Sequence, residues 1–309
     1  MSKFLVTGGA GFIGSNLVER LVKDGHSVRV LDNLSFGKME NLSPVLKDIE
    51  FINGDIRNLD AVKKATYGVD FVLHHAALRS VPGSMKNPDE YNEVNIGGTL
   101  NLLKASVDTA VKRFVFASTS AVYGDTKKLP ERESDIPQPI SVYALNKLAG
   151  EHYCRVFSKN YGLETVSLRY FNVFGPKQAP DDEYAGVISK FITCMLANQP
   201  PPIFGTGKQS RDFVYIDNVV EANMASALRS GLKCEVINIG YGKAASVLGL
   251  VDILNKLMNK SLKPAFAKPR PGDVFKTQAY ISLARKVLGY KTKVDFKEGL
   301  KRTISWFQK

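Results

Sequence analysis

A run of glycines, Gly8-x-x-Gly11-x-x-Gly14, stands where a short apolar stretch, Lys3 to Thr7, gives way to helical periodicity from Phe12 to Lys23 that stops at Asp24-Gly25. The spacing puts backbone without side chains at a strand-to-helix turn, so a pyrophosphate can approach the helix N-terminus and its free N–H groups. Alone, such a pattern is weak. Here a second strand, Ser27 to Leu31, leads to Asp32, about 20 residues on, where a carboxylate accepts from both ribose hydroxyls and repels a 2′-phosphate. Asn33 follows it rather than an arginine, which favours NAD over NADP. Asp55-Ile56 comes after a third strand, where a carboxylate can take an adenine amino group or simply cap a turn.

Further buried strands are expected at Ile49 to Ile52, Phe71 to Leu73, Phe114 to Ala117 and Val166 to Leu168, separated by helix-like segments. The long amphipathic stretches near Asp89 to Ala110 and Val142 to Asn160 are the clearest helices. Such alternation implies an α/β fold, a doubly wound Rossmann-type parallel sheet, with a smaller C-terminal substrate-binding lobe. Residues 1–172 read as the NAD-binding domain with the catalytic residues, and 173–309 mainly as the substrate lobe. Segments 213–229 and 236–240 are expected to return to the main domain, with strands at Phe213 to Tyr215 and Val236 to Ile239 rejoining its sheet.

At 309 residues and 44% hydrophobic content the chain has material for a large core. No apolar run reaches the roughly 18 to 20 residues that cross a bilayer, and the N-terminus lacks a secretory cleavage pattern, so a cytoplasmic protein without membrane contact is expected. Cys154, Cys194 and Cys234 are too widely spaced for a zinc site and read as buried free thiols. The formal charge is +12, and from Lys233 onward 16 basic residues face 5 acidic ones. The lysines are scattered at solvent-face spacings with no RNA or DNA module, so a nucleotide diphosphate, not nucleic acid, is the expected polyanion.

Tyr143 and Lys147 form a Tyr-x-x-x-Lys pair inside the second long helix. Residues four apart share a helix face, so an ammonium can sit beside a phenol and lower its pKa from about 10 towards the working range of a general base. That pair, with a nicotinamide site, points to removing a proton from an alcohol as hydride leaves it. His74 and His75 are vicinal on a strand and point to opposite faces, so they are expected to pack rather than to share a metal.

Taken together, these residues resemble the extended short-chain dehydrogenase/reductase family, in its NAD-dependent nucleotide-sugar epimerase branch. The resemblance covers nearly the whole chain. It is carried by the glycine pattern with Asp32, Asp55-Ile56, His74-His75-Ala76-Ala77, Asn95-Ile96-Gly97-Gly98-Thr99, Ser118-Thr119-Ser120-Ala121-Val122-Tyr123-Gly124, Tyr143-x-x-x-Lys147, Leu168-Arg169-Tyr170-Phe171-Asn172 and Arg211-Asp212-Phe213-Val214-Tyr215.

The resemblance implies reversible C4 epimerisation of a UDP-hexose through a 4-keto sugar. It makes Tyr143 the base, has Lys147 bind the nicotinamide ribose and tune Tyr143, and sets Thr119 on the sugar 4-oxygen. It implies NAD contacts from Gly8, Gly11, Phe12, Ile13, Gly14, Asp32, Asn33, Asp55 and Ile56. Ala76, Ala77, Asn95, Ser118 and Tyr170 complete that set with Tyr143 and Lys147. For the substrate it implies contacts from Arg79, beside the pocket, and from Ser80, Ser120, Phe171, Val187 and Asp273, with Asn172, Arg211 and Arg270 on the diphosphate and Ile203-Phe204 beside the base. Thr277 stands where relatives restricted to unsubstituted hexoses carry a bulky tyrosine, which implies room for 2-acetamido sugars. Ser120 and Ala121 occupy positions where 4,6-dehydratases have an acid and a base, which argues against elimination chemistry. UDP-glucuronate 4-epimerase and a simple nucleotide-sugar dehydrogenase are the alternatives, and a homodimer paired through the two long helices is implied.

Overall fold

A computed structural model of the chain describes residues 1–179, 186–268 and 274–308. The strands in chain order are β1 (Lys3–Thr7), β2 (Ser27–Asp32), β3 (Ile49–Asn53), β4 (Phe71–His74), β5 (Arg113–Thr119), β6 (Glu164–Tyr170), β7 (Asn172–Phe174), β8 (Pro202–Phe204), β9 (Ser210–Tyr215), β10 (Cys234–Ile239), β11 (Ala244–Ser246) and β12 (Ala265–Ala267). All six strands expected in the first half form, and the first helix spans Phe12–Lys23 as its periodicity requires.

Among the described residues the main sheet has seven strands in the order β3-β2-β1-β4-β5-β6-β10, every pair parallel. That is the doubly wound arrangement, and its order reverses between β1 and β4, where the carboxyl ends of strands leave a crevice. Successive residues of a strand face opposite layers. Phe4, Val6, Val115 and Ala117 therefore enter one apolar core, while Leu5, Phe114 and Phe116 enter the other. Thr7 stands in register with His74, and Thr119 with Tyr170, so the polar ends of four strands meet at one edge.

Two expectations need correction. The stretch near Asp89 to Ala110 is not one regular helix: Pro88–Tyr91 is followed by a wide-turn segment, Asn92–Gly98, before Thr99–Asp108 resumes. Gly98 allows this close fit, since a Cβ there would lie 2.4 Å from the Ile56 side chain. The wide turns also direct Asn95 at Leu78, donating to its carbonyl at 2.9 Å and accepting from its N–H at 2.8 Å.

Phe213 to Tyr215 also departs from expectation, because β9 joins a separate sheet with β7 and β11. Its aromatic residues are held there by Phe174 and Phe296, the latter stacked on Phe213 at 5.5 Å. By contrast β10 does enter the main sheet, along β6. The helix between them, Ile216–Leu228, also returns to the main layer, where Asn223 accepts from Tyr170 and the carbonyls of Ser226 and Ala227 accept from Arg113.

Cys154 is buried, as expected, whereas Cys194 and Cys234 are half-buried, and all three are free thiols. Among the described residues no helix is long and apolar enough to cross a membrane.

Candidate active site

The glycine turn is built by steric necessity. Gly8 sits at φ +68°, and a Cβ on it would lie 2.7 Å from the Ala76 nitrogen; a Cβ on Gly14 would lie 2.1 Å from the Gly8 carbonyl oxygen. Helices starting at Leu59, Val81, Val142, Val247 and Phe296 are each capped by a side chain, from Asn58, Ser80, Ser141, Ser246 and Asp295. The helix starting at Phe12 has no such cap and no acid in its first turn, so its N–H groups and positive pole are open to an anion. At the neighbouring strand end, Asp32 accepts from the N–H of Ala10 at 2.9 Å and of Leu34 at 2.8 Å, one on each oxygen. Burial raises its pKa, with those two bonds opposing the shift. A pyrophosphate at the helix and a ribose at Asp32 fit this frame, so these residues suit NAD.

Other residues expected at the cofactor are tied to the scaffold. Asp55 is held by Arg57, with N–O distances of 3.0 and 2.8 Å, and by Asn33 at 2.9 Å, and the Arg57 bonds bring its pKa down to about 2. Arg57, two residues on in the chain, was not singled out by sequence reasoning; the Asp-x-Arg spacing was its only signal. Ile56 is buried in the second core, and the Ala76 N–H donates to Thr7 just before Ala77. The Tyr170 hydroxyl lies between Asn223 and His75, while His74 bridges Thr7 and Thr99.

The reactive end is assembled on β5 and on the helix Val142–Tyr161. Thr119 ends the strand and caps the turn Ser120–Tyr123, accepting from the Ala121 N–H. Its hydroxyl faces the half-buried Tyr143 phenol and favours the ionised form. Ser84, unforeseen in the sequence, accepts from the Tyr143 N–H at 3.1 Å and fixes the start of the helix. The expected ammonium–phenol contact is not what holds this arrangement. Lys147 is 4% exposed and donates to the Ala117 carbonyl at 2.8 Å, and burial lowers its pKa to about 8. Tyr143 is raised rather than lowered, by burial, with the Thr119 hydroxyl and the positive charge of Arg79 opposing. The Tyr-x-x-x-Lys spacing fixed a shared face, but the lysine stem reaches down to the strand.

On the substrate side, Asn172 donates to the Asp212 carbonyl and to the Thr277 hydroxyl, both at 3.3 Å. Arg211 donates to the carbonyls of Ser210 and Phe275. Ile203 and Phe171 are buried in the core, Phe204 is half-buried, Val187 opens the helix Val187–Leu196, and Ser80 caps the helix following Arg79. Arg270 and Asp273 lie outside the described residues.

The segment carrying Thr277 is held by two buried carboxylates: Asp212, named in the sequence only as part of a motif, and Glu131, which the sequence did not single out. Asp212 accepts from the N–H groups of Tyr241, Gly242 and Ala279, and Glu131 from that of Gln278. Burial pushes Glu131 up to about 7 and Asp212 up to about 6, above ordinary values of 4.5 and 3.8. The folded chain therefore keeps protons that the unfolded chain has lost. Their stabilising contribution is complete below about pH 4 and is lost as pH rises through 6 to 7. The melting temperature is expected to fall between about pH 5 and pH 8, and Glu131→Gln, neutral throughout and still an acceptor, to flatten that slope. An unchanged slope in the variant, followed by calorimetry, would remove Glu131 as its source.

Comparison with known proteins agrees with this geometry. The model of the NAD dependent epimerase/dehydratase family matches residues 4–240. A putative UDP-glucose 4-epimerase of Methanocaldococcus jannaschii is 42% identical over 98% of both chains. Among solved structures, the UDP-N-acetylglucosamine 4-epimerase from Methanobrevibacter ruminantium, in complex with UDP-N-acetylmuramic acid, is similar with a TM-score of 0.95 and 40% identity, over 99% of this chain and 98% of that one. The Thermus thermophilus UDP-glucose 4-epimerase in complex with NAD gives 0.92 and 37%, over 99% of each. The glycine turn, Asp32 and the Thr119–Tyr143 contact all lie within the matched residues, and the chain belongs to the NAD dependent epimerase/dehydratase family.

Proposed function

We propose that the protein is a cytosolic UDP-hexose 4-epimerase that interconverts UDP-glucose with UDP-galactose and UDP-N-acetylglucosamine with UDP-N-acetylgalactosamine. The observation that carries this reading is the approach of the Thr119 hydroxyl to Tyr143 at the carboxyl end of β5, on the edge that also holds the glycine turn. NAD, when bound, supplies the hydride acceptor and donor. Tyr143 takes the proton of the sugar 4-hydroxyl and returns it to the same oxygen once the 4-keto sugar has turned its opposite face to the nicotinamide site, while Thr119 follows the reacting oxygen as donor or acceptor. Asn172, Arg211 and Arg270 hold the diphosphate, so that binding energy remote from C4 orients the reacting carbon. Ser120 and Ala121 give no acid–base pair for dehydration. The activities of the similar epimerases support the same assignment.

Acceptance of acetamido sugars rests on Thr277, a small side chain beside Asn172. Thr277→Tyr is expected to lower turnover of UDP-N-acetylgalactosamine by about a hundredfold, leaving UDP-galactose within a few-fold. Product analysis by chromatography over a panel of UDP-sugars tests both the assignment and this preference. Failure with both acetamido epimers beside good turnover of UDP-galactose would refute the broader specificity. Stoichiometric release of reduced cofactor would refute epimerisation. One observation favours UDP-glucuronate as a second reading: the positive charge of Arg79 acts at Tyr143, where it suits a carboxylated sugar. The same panel decides between them.

A homodimer is part of the proposal. Leu145 and Val156, eleven residues apart and so on one face of the long helix, are 53% and 47% exposed. Those two exposed apolar side chains support pairing through helices.

A further inference from the structure

Tyr143, Lys147 and Glu151 follow one another at intervals of four along the helix Val142–Tyr161, and so share the face turned to β5. Each meets a different one of the last three residues of that strand. Tyr143 faces Thr119, Lys147 donates to the Ala117 carbonyl at 2.8 Å, and Glu151 accepts from the Ser118 hydroxyl at 2.5 Å. Glu151 is 4% exposed, and its carboxylate is fixed from the other side by Arg169, at 2.9 Å to one oxygen and 2.7 Å to the other. Arg169 is the register partner of Ser118 on the adjacent strand and lies over the Tyr123 ring at 4.7 Å. Tyr123 ends the turn that Thr119 begins. A single carboxylate thus braces both ends of the segment that carries Thr119.

We propose that Glu151 is a positioning residue of the reaction, setting through Ser118 and Arg169 the height at which Thr119 meets Tyr143. The inference rests on the proposed roles of Thr119 and Tyr143. Ser118, expected at the cofactor, here has its hydroxyl turned to Glu151. Without that tie, the strand end is joined to the helix side chains through Lys147 at Ala117 and no longer at the residue next to Thr119, whose approach to Tyr143 matters for proton transfer. An anion is required, because Arg169 approaches with two parallel N–H groups that only a carboxylate can accept together.

The test uses full-length protein with its bound NAD and UDP-galactose as substrate. Ser118→Ala removes the tie while leaving the Glu151–Arg169 pair in place. Its kcat is expected to fall roughly tenfold, as for a displacement well under an ångström when a full ångström is worth about a hundredfold. KM and the NAD content measured after denaturation should remain unchanged. Glu151→Gln should lower kcat at least as far, and adding Ser118→Ala to it should lower kcat no further, since both break one connection. A purely structural role would shift melting temperature without this split between kcat and KM.

Normal kcat in Ser118→Ala, or a loss that only follows lost NAD, overturns the proposal. If Glu151→Gln does not fold, Ser118→Ala decides alone. Tyr143→Phe serves as the reference: an inactive Tyr143→Phe beside a normal Ser118→Ala removes only the positioning role, whereas an active Tyr143→Phe removes the proposed chemistry and this inference with it.

Discussion

Replacing Tyr143 by phenylalanine is expected to lower kcat for UDP-galactose by about a hundredfold to ten-thousandfold, the range for loss of a positioned general base. The ring is half-buried and its backbone N–H is held by Ser84, so the phenylalanine ring should occupy the same place without the hydroxyl. UDP affinity should stay within a few-fold, because the expected nucleotide contacts lie on the other lobe. Calorimetric titration with UDP separates the two effects. The burial that raises Tyr143 also bears on pH: with its pKa above the ordinary value of 10.0, turnover should increase towards alkaline pH until the phenol ionises. A Tyr143→Phe enzyme with near-normal turnover would end the role assigned to this residue.

Gly14→Ala is expected to yield protein that purifies without bound NAD. The added methyl would stand 2.1 Å from the Gly8 carbonyl oxygen and 2.8 Å from the Gly9 Cα, all of it backbone. Those atoms cannot easily yield. Gly8 donates to the Leu31 carbonyl at 2.9 Å, and its own carbonyl accepts from Gly11 at 3.1 Å. Relief must come from moving the helix Phe12–Lys23 away from the turn, which withdraws its N–H groups from the pyrophosphate. Overpacking of this kind destabilises by about 1–3 kcal/mol. Gly11→Ala, whose Cβ would lie 3.2 Å from the same oxygen, should retain more cofactor. Spectroscopic assay of nucleotide released on denaturation checks the order, and equal retention in Gly14→Ala and the parent would show that the turn tolerates a side chain.

Periodicity carried most of the fold. The first six strands and both ends of the first helix follow from apolar runs punctuated by glycine and by Asp24-Gly25, which are local signals. What escaped was set by distant partners. Phe213 to Tyr215 has the apolar character of a buried strand wherever it pairs, and its distant partners, β7 and β11 in the ladder with Phe174 and Phe296 against its rings, place it in the smaller sheet. The wide turns of Asn92–Gly98 depend on packing against Ile56, far away in the chain.

The site divides in the same way. Glycine spacing and Asp32 have local geometric meaning, and the structure brings them together. The interval of Tyr143 and Lys147 fixes a face, but not where a flexible ammonium ends, and it found the Ala117 carbonyl instead. Glu151, Glu131 and Asp212 matter through bonds to residues elsewhere in the chain, and no spacing announces those.

The position of β10 bears on synthesis of the chain. Strand β6 is complete by Tyr170, yet its outer neighbour begins only at Cys234, after β7, β8, β9 and the helix Ile216–Leu228. A nascent polypeptide emerging from the ribosome therefore presents an unpaired, apolar border until that later stretch arrives. Fragments ending near residue 172 should stick to one another for the same reason, which makes chaperone dependence and failure of simple truncation two faces of one topological delay.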